Sequence, residues 1–520
     1  MQYTAQQAWE AGALKRVALL SRCEKYAAFT QPIICPPQGY NEQSEELQTD
    51  FQSLGNQLVN NLSNKLMLAL FAPSRPFFRL DVSPQLLQQL QARLDVPVEA
   101  LQGQLSVAER NCIKQLDKMG IRPKLYLALK HLIVTGNCLI VLGKKDVPMR
   151  VLGLKRFVVK RSMTGRIIEI VIHEKVRFDE LEHDVQAHLK SVRPQQYGKM
   201  QPLDPKTCSE VSYFKWIRWD GEKERYTETT QIGDLDLGPQ FQGTYAEKDL
   251  PYRVLTWELA DENDYGTGLV EQNAGDFAAL SVLSESEVKG AILASEFRWL
   301  VNPAGQTNAA DLEASENGAA LPGVKDDIIP LLTGTGANMQ FVDTVATKYV
   351  NRLGRTFLLG ASVIRDAERV TAEEVRLVAN ELETALGGVY SRLAIDFQLP
   401  MAYWLVELTG VKLGETDIEP TIVTGLDALS RNGDLDNLKA CIMDLAALSG
   451  LPPQAQFVLK MDAIAQAIFA GRGVDSTQYI KSPEEQKADL DNQQAAALAQ
   501  QVARPVSSAF LNANSPQGTQ

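Results

Sequence analysis

The chain has 520 residues, 45% hydrophobic and 22% charged, the balance of a soluble globular protein with room for about two to four domains. A formal net charge of −12 argues against a surface that grips nucleic acid, because that grip comes from lysine and arginine neutralising phosphates, but it leaves open a protein that DNA slides past. Six cysteines with no CxxC pair predict reduced, mostly buried thiols; four histidines without helical ligand spacing predict no metal site; no apolar run is long enough for a membrane span or a signal-peptide core, so a cytosolic origin is expected.

Residues 1–136 read as mostly helical. In NQLVNNLSNKLMLALFAPSRPFFRL, Leu58, Leu62, Leu66 and Leu70, with Val59, Leu68 and Phe71, form a wide apolar face that Pro73 stops. LSVAERNCIKQLDKMG and RPKLYLALKHLIVTGN are two more amphipathic helices, the second opened by Pro123 and closed by Gly136. Over 137–260 the composition turns β-branched and aromatic. NCLIVLG, RFVVKRS, IIEIVIHEKV, SYFKWIRW and RYTETTQI, with turns at Thr164-Gly165 and Asp220-Gly221, predict two hairpins in a small antiparallel β domain. The fold class is therefore α+β and mainly helical.

Helix returns at about 267, where GLVEQNAGDFAALSVLSESEVKGAILASEF is long enough to span roughly 40 Å. A module dense in Gly, Asn, Asp and Pro follows, and then ATKYVNRLGRTFLLGASV is helical again. VIRDAERVTAEEVRLVANELETALGGVYSRL carries a third helix, opened by a capping box at Thr371 and Glu374. Its apolar face is Val375, Val378, Leu382, Ala385, Val389 and Leu393, with a bend allowed at Gly387-Gly388 and an end predicted at Gln398-Leu399-Pro400. Nothing local explains Arg365 and Arg369 in the short polar segment before it. Residues 426–475 form a further helical cluster, and the Gln- and Ala-rich end beyond Ser482 is expected to fray.

Motifs for chemistry are sparse. There is no P-loop, HExxH or GxSxG, and GTGLVE and GTGANM lack the third glycine of a dinucleotide fingerprint. Asp261, Glu262 and Asp264 in DENDYGTG form either a Mg²⁺ site of a nuclease or, more simply, a solvated turn before a helix. Lys348, Arg352 and Arg355 share one helical face, which either meets DNA or pairs with Glu271, Asp276, Glu285 or Glu287 of the preceding helix. Arg365 and Arg369 read equally as a solvated loop. No catalytic constellation emerges, and no cofactor is expected.

The stretches LSNKLMLALFAP, LVNPAG, ERVTAEEVRLVANELETALGGVYSRL followed by QLP, and EPTIVTGLDAL occur in the order and wording of a known family. The chain resembles the portal proteins, or head-to-tail connectors, of short-tailed bacteriophages, from about residue 10 to 480, more weakly over 180–245 and in the last forty residues. The resemblance implies a portal fold. A wing would occupy 1–266, the first stem helix 267–295, the clip 296–342, the second stem helix 343–361, the tunnel loop 362–371, the tunnel helix and remaining wing 372–425, the crown 426–480 and a partly disordered tail 481–520.

It also implies a ring, usually a dodecamer, at one capsid vertex, through which double-stranded DNA is packaged and ejected. The implied partners are the large terminase subunit, then tail adaptor and nozzle proteins, with the major capsid protein, scaffold and internal core proteins at the wing and crown, and no membrane. Arg365 and Arg369 would form a basic collar in the channel, with Lys348 and Arg352 on its wall. Phe297, Arg298, Trp299, Asp326 and Asp327 would lie on the docking face, the aspartates as exposed polar positions. Another ring-forming virion protein, such as a tail adaptor or nozzle, is the alternative, disfavoured by the order helix, module, helix, loop, helix.

Overall fold

The computed structural model describes residues 3–422 apart from 73–75, 83–97, 144–146, 199, 201–209, 296–298, 317–319, 321, 331–334, 361–380, 383 and 411–417, together with Met443. Met1–Gly425 forms one compact unit; the second, Leu426–Gln520, which includes the expected crown and tail, lies outside the described residues apart from Met443.

The N-terminal layer is helical. α1 (Ala5–Lys15) starts on a capping box, in which Thr4 Oγ1 accepts from the Gln7 amide and Gln7 Oε1 from the Thr4 amide, both at 3.2 Å. It is followed by α2 (Val17–Phe29), α3 (Leu54–Leu70), α4 (Val98–Lys118) and α5 (Arg122–Thr135). Leu58, Leu62, Leu66 and Leu70 of α3 are fully buried and share a core with Leu125, Leu129 and Leu132 of α5. Each such side chain stabilises the fold by about 1.5–3 kcal/mol relative to exposure, so this seam anchors the layer. α5 ends where Gly136 takes φ +72 and its amide returns to Leu132 O at 2.9 Å. A Cβ at Gly136 would collide with the backbone of Thr267 and Gly268. Beside it, buried Asn137 donates to Gly266 O (2.8 Å) and accepts from the Gly266 amide (2.7 Å). These contacts fasten the segment before the long helix to the end of α5.

The β region consists of two antiparallel sheets. β2 (Asn137–Val141) is the centre of a three-stranded antiparallel sheet, between β3 (Arg150–Leu152) and β10 (Tyr252–Thr256). Asn137, Cys138, Leu139 and Ile140 are all buried, so this strand needs cover on both faces. The second sheet contains the two expected hairpins, β4 (Phe157–Arg161) with β5 (Ile167–Arg177), and β6 (Glu210–Asp220) with β7 (Arg225–Ile232). β8 (Leu235–Asp236) and β9 (Gly243–Tyr245) both pair with β7. The left-handed residue of the β6–β7 turn is Glu224 (φ +50), not Gly221. An unanticipated helix, α6 (His183–Val192), lies between β5 and β6 and closes a satellite core of Phe178, Val185, Leu189 and Tyr197.

A long-range ribbon joins β1 (Phe78–Val82) to β13 (Ile418–Ile422), with Leu80 opposite Pro420. The proline costs no ladder bond there, because the Leu80 amide donates to Glu109 Oε1 at 2.9 Å. After β10 come two long helices, α7 (Ala274–Ser295) and α8 (Thr335–Thr356). A further helical run breaks at Gly387 (φ +48), resumes as α9 (Gly388–Leu393), loosens into a π-helical turn at Ala394–Gln398 and continues as α10 (Leu399–Leu408). Pro400 therefore does not end the helix as its sequence context suggests. It occupies the first turn of α10, where its missing N–H is not required, and Leu399 remains helical at φ −61, ψ −50.

Candidate functional site

α7 and α8 pack along one another and bracket the Gly- and Asn-rich module. Phe277 and Phe357 meet edge to face, centroids 5.7 Å apart, beside fully buried Leu353. Arg352 extends from α8 to Asp276 on α7, Nε to Oδ2 at 2.5 Å, with a second contact from Nη2 to Oδ1. Its guanidinium also lies 5.1 Å from the Tyr349 ring. Hydrogen bonding to Asp276 pushes the Arg352 guanidinium above its ordinary range. The shared basic face thus divides, since Arg352 is engaged across the helix pair while Lys348 and Arg355 are exposed. α8 begins at Thr335, eight positions before the expected 343, and takes in Gly336, which had read as loop. α7 buries Phe277 and Leu280 on one side and leaves Val282, Val288 and Ile292 exposed, as is Phe341 on α8.

Between the helices, β11 (Trp299–Val301) pairs antiparallel with β12 (Ile328–Pro330). Leu300 and Ile329 lie directly opposite each other and are 53% and 59% exposed, so they form a small apolar face open to solvent. Asp327, expected as an exposed docking residue, is instead 8% exposed. Its Oδ2 accepts from the Gln306 amide (2.8 Å), the Thr307 amide (3.2 Å) and Thr307 Oγ1 (3.2 Å), and its carbonyl accepts from the Asn302 amide (2.8 Å). The carboxylate is the template around which the 302–307 turn is wound. A Cβ at Gly305 would run into it, which explains the glycine. Asp326 is exposed. Phe297 and Arg298 lie outside the described residues, and Trp299 is described as a strand residue only.

α8 ends in a Schellman turn with an unusual residue. Leu358 takes φ +58 where glycine is customary, its amide donates to Arg355 O (3.2 Å), and the Leu359 amide donates to Gly354 O (2.7 Å). Two side chains of α3 hold this turn. Asn61 Nδ2 donates to the carbonyls of Phe357 (3.1 Å) and Leu358 (3.2 Å), and Lys65 Nζ donates to Leu358 O and to Glu381 Oε2, both at 2.9 Å. Lys65 is completely buried. Sequence reasoning passed over it, although a lysine between Leu62 and Leu66 on an apolar face is itself a signal, since buried charges require partners. Arg365, Arg369 and the capping pair Thr371 and Glu374 lie outside the described residues.

Elsewhere polar groups serve the fold. Asp264 Oδ1 accepts from the Arg161 amide at 2.6 Å, while Asp261 and Glu262 are exposed in the adjoining turn. A cavity of about 580 Å³ between the sheets is lined by Lys215, Glu228 and Tyr252, where Lys215 donates to Glu228 (2.8 Å) and Tyr252 (3.2 Å). Cys23, Cys35, Cys112 and Cys138 are free and buried, with burial raising the Cys35 thiol to about 11.

The bacteriophage head to tail connecting protein family matches residues 2–480. The portal protein of Enterobacteria phage T3 is 32% identical over 481 residues, covering 91% of this chain and 87% of that protein. The portal protein of Escherichia phage T7 is 31% identical over 502 residues, covering 93% and 90%. That of Pseudomonas phage phiKMV is 31% identical over 514 residues, covering 97% of each. With a family match across nearly the whole chain and relatives above 30% identity along most of their length, the chain belongs to the bacteriophage head-to-tail connecting proteins, the portal proteins.

Proposed function

We propose that this portal protein works as a closed homo-oligomeric ring, a dodecamer, at one capsid vertex, with double-stranded DNA passing through its axis during packaging and ejection. Its role is structural rather than catalytic, as a virion component at the head–tail connection. In this reading α7 and α8 are the stem helices, the β11–β12 module is the clip, and the layers around α3, α5 and the two sheets are the wing of a portal fold.

The observation that carries the reading is the stem pair. α7 has apolar residues on every side, and its unburied ones, Val282, Val288 and Ile292, are covered when a neighbouring copy packs beside it. At the far end of the pair, Leu300 and Ile329, with exposed Asp326 nearby, suit a docking face for the large terminase subunit and later for tail adaptor and nozzle proteins. Phe297, Arg298 and Trp299 belong to the same module. Major capsid protein, scaffold and internal core proteins meet the wing and crown.

Arg365 and Arg369 in the segment 362–371 form the basic collar, with Lys348 along the stem wall. Asp366 and Glu368 alternate with the arginines and limit its net charge, so contact with phosphates is weak and salt-sensitive. The test is the double substitution Arg365→Ala with Arg369→Ala. Rings should form in normal yield while the length or retention of packaged DNA changes. Loss of rings, with normal packaging in surviving particles, would assign the arginines to contacts between subunits instead.

A further inference from the structure

We infer that the turn at the tip of the β4–β5 hairpin, which carries Met163, inserts into the cavity between the two sheets of a neighbouring copy, so that each subunit supplies a knob on one side and a socket on the other. Met163 is 99% exposed, an apolar side chain held out into solvent. The turn that holds it is braced. The Ser162 amide donates to Arg166 O (2.8 Å) and the Gly165 amide to Ser162 O (2.9 Å), while the Ser162 and Thr164 hydroxyls are bonded to each other at 2.7 Å. The Arg161 guanidinium donates to Gly165 O (3.1 Å), and its amide is tied to Asp264. Little freedom is left for such a tip to lose on binding, which suits it as an anchor.

The socket matches the knob in shape and in charge. Ile172, Leu181, Val185, Leu237 and Phe241 give the cavity apolar walls. Its volume of about 580 Å³ lies within the range of about 300–1,000 Å³ that accepts a drug-sized ligand, the bulk of a turn of a few residues. In its charged lining, Arg150 pairs with Glu174 and Lys215 with Glu228, which leaves Glu180 and Glu182, both exposed, to set its sign. Lys160 and Arg166 are exposed on either side of Met163, Arg166 with Glu247 at 3.5 Å. An apolar tip with basic flanks therefore faces apolar walls with an acidic rim. The tip does not reach its own cavity. β5 runs from Ile167 to Arg177 at about 3.3 Å per residue, so the wall formed by Glu174 and Val176 begins roughly 20 Å beyond the turn. A knob and a socket at opposite ends of one sheet are what a head-to-tail contact requires, and such contacts close into a ring when the rotation fits. The contact rests on the ring reading given above, and it adds the residues that meet away from the helix pair.

The experiment uses the full-length protein as wild type, Met163→Cys, Glu182→Cys, the two substitutions together, and Met163→Asp. Assembled protein is oxidised with diamide and run on denaturing gels without reductant. A ladder of linked chains should appear only when both cysteine substitutions are present, because Met163 of one copy meets Glu182 of the next while identical positions stay apart. The native cysteines among the described residues are buried, and the single substitutions measure any background. Met163→Asp should weaken subunit association about tenfold or more, with the melting of the isolated chain unchanged because the residue is exposed there. Rings that give no ladder with both substitutions, or equal ladders from a single one, overturn the contact and leave the ring reading standing. A wild-type chain that forms no ring overturns both.

Discussion

Arg352 and Asp276, 76 positions apart, join the two long helices through two hydrogen bonds on the outer side of their contact. The Arg352 side chain is 63% exposed, so the pair contributes to register more than to stability. Arg352→Ala should barely change the melting temperature, whereas Asp276→Arg, which opposes two cations, should lower it. Asp276→Arg combined with Arg352→Asp should recover most of that loss, and added salt should shrink every difference. Thermal melts of the four proteins at two salt concentrations check this.

Asp327 and Asp326 should behave differently despite being neighbours. Asp327→Ala removes an acceptor shared by three donors and should destabilise the β11–β12 module by about 2 kcal/mol or more. Asp326→Ala should leave stability within about 0.5 kcal/mol and, if the module docks partners, weaken pull-down of terminase. Limited proteolysis within 302–327 separates the two outcomes, with rapid cutting expected only in Asp327→Ala.

Phe357→Ala should cost about 3–5 kcal/mol, because the ring is fully buried against Phe277 and leaves a cavity where the end of α8 meets α3. Phe341→Ala should not lower the stability of the monomer, since that ring is 70% exposed. In rings, however, it should lower the dissociation temperature if a neighbour covers it. Denaturant titration of the isolated chain and melting of the assembled form provide the two measurements.

His131 predicts an acid sensitivity. It is buried against Gly153, its Nδ1 has no hydrogen-bond partner among the described residues, and burial lowers its pKa from 6.5 to about 4. The unfolded chain therefore binds a proton between these values that the fold refuses. Stability is intact above about pH 6.5 and declines as pH falls toward 4, by about 3 kcal/mol in all. His131→Gln should flatten the melting-temperature profile in that window, and an unchanged profile would remove the histidine from the account.

Local periodicity made much of this fold legible. The α3 leucines, the Gly136 cap and both hairpins follow from spacing and turn chemistry, because their determinants lie within a few residues of one another. What escaped depends on distant partners. Lys65 stands on the apolar face of α3, but its partners Leu358 and Glu381 lie some 300 positions away. The β1–β13 ribbon is invisible in either strand alone, because its two strands lie more than 330 positions apart. Asp327 resembled a surface acid because its three donors come from a turn twenty residues earlier. Pro400 misled for a different reason, since a π-turn realigned the helix ahead of it. Of the candidate site, the helix–module–helix order was readable, while the division of the basic face between Arg352 and Lys348 required the structure.

The central claim, a closed ring with an axial channel, is tested most directly by electron microscopy of the purified full-length protein. The account predicts a closed cyclic ring with an axial hole, with Val282 and Ile292 of α7 against the neighbouring copy and residues 362–371 facing the axis. Monomers alone at micromolar concentration with no rings in procapsids, or a ring whose 362–371 segments face outward, would contradict it.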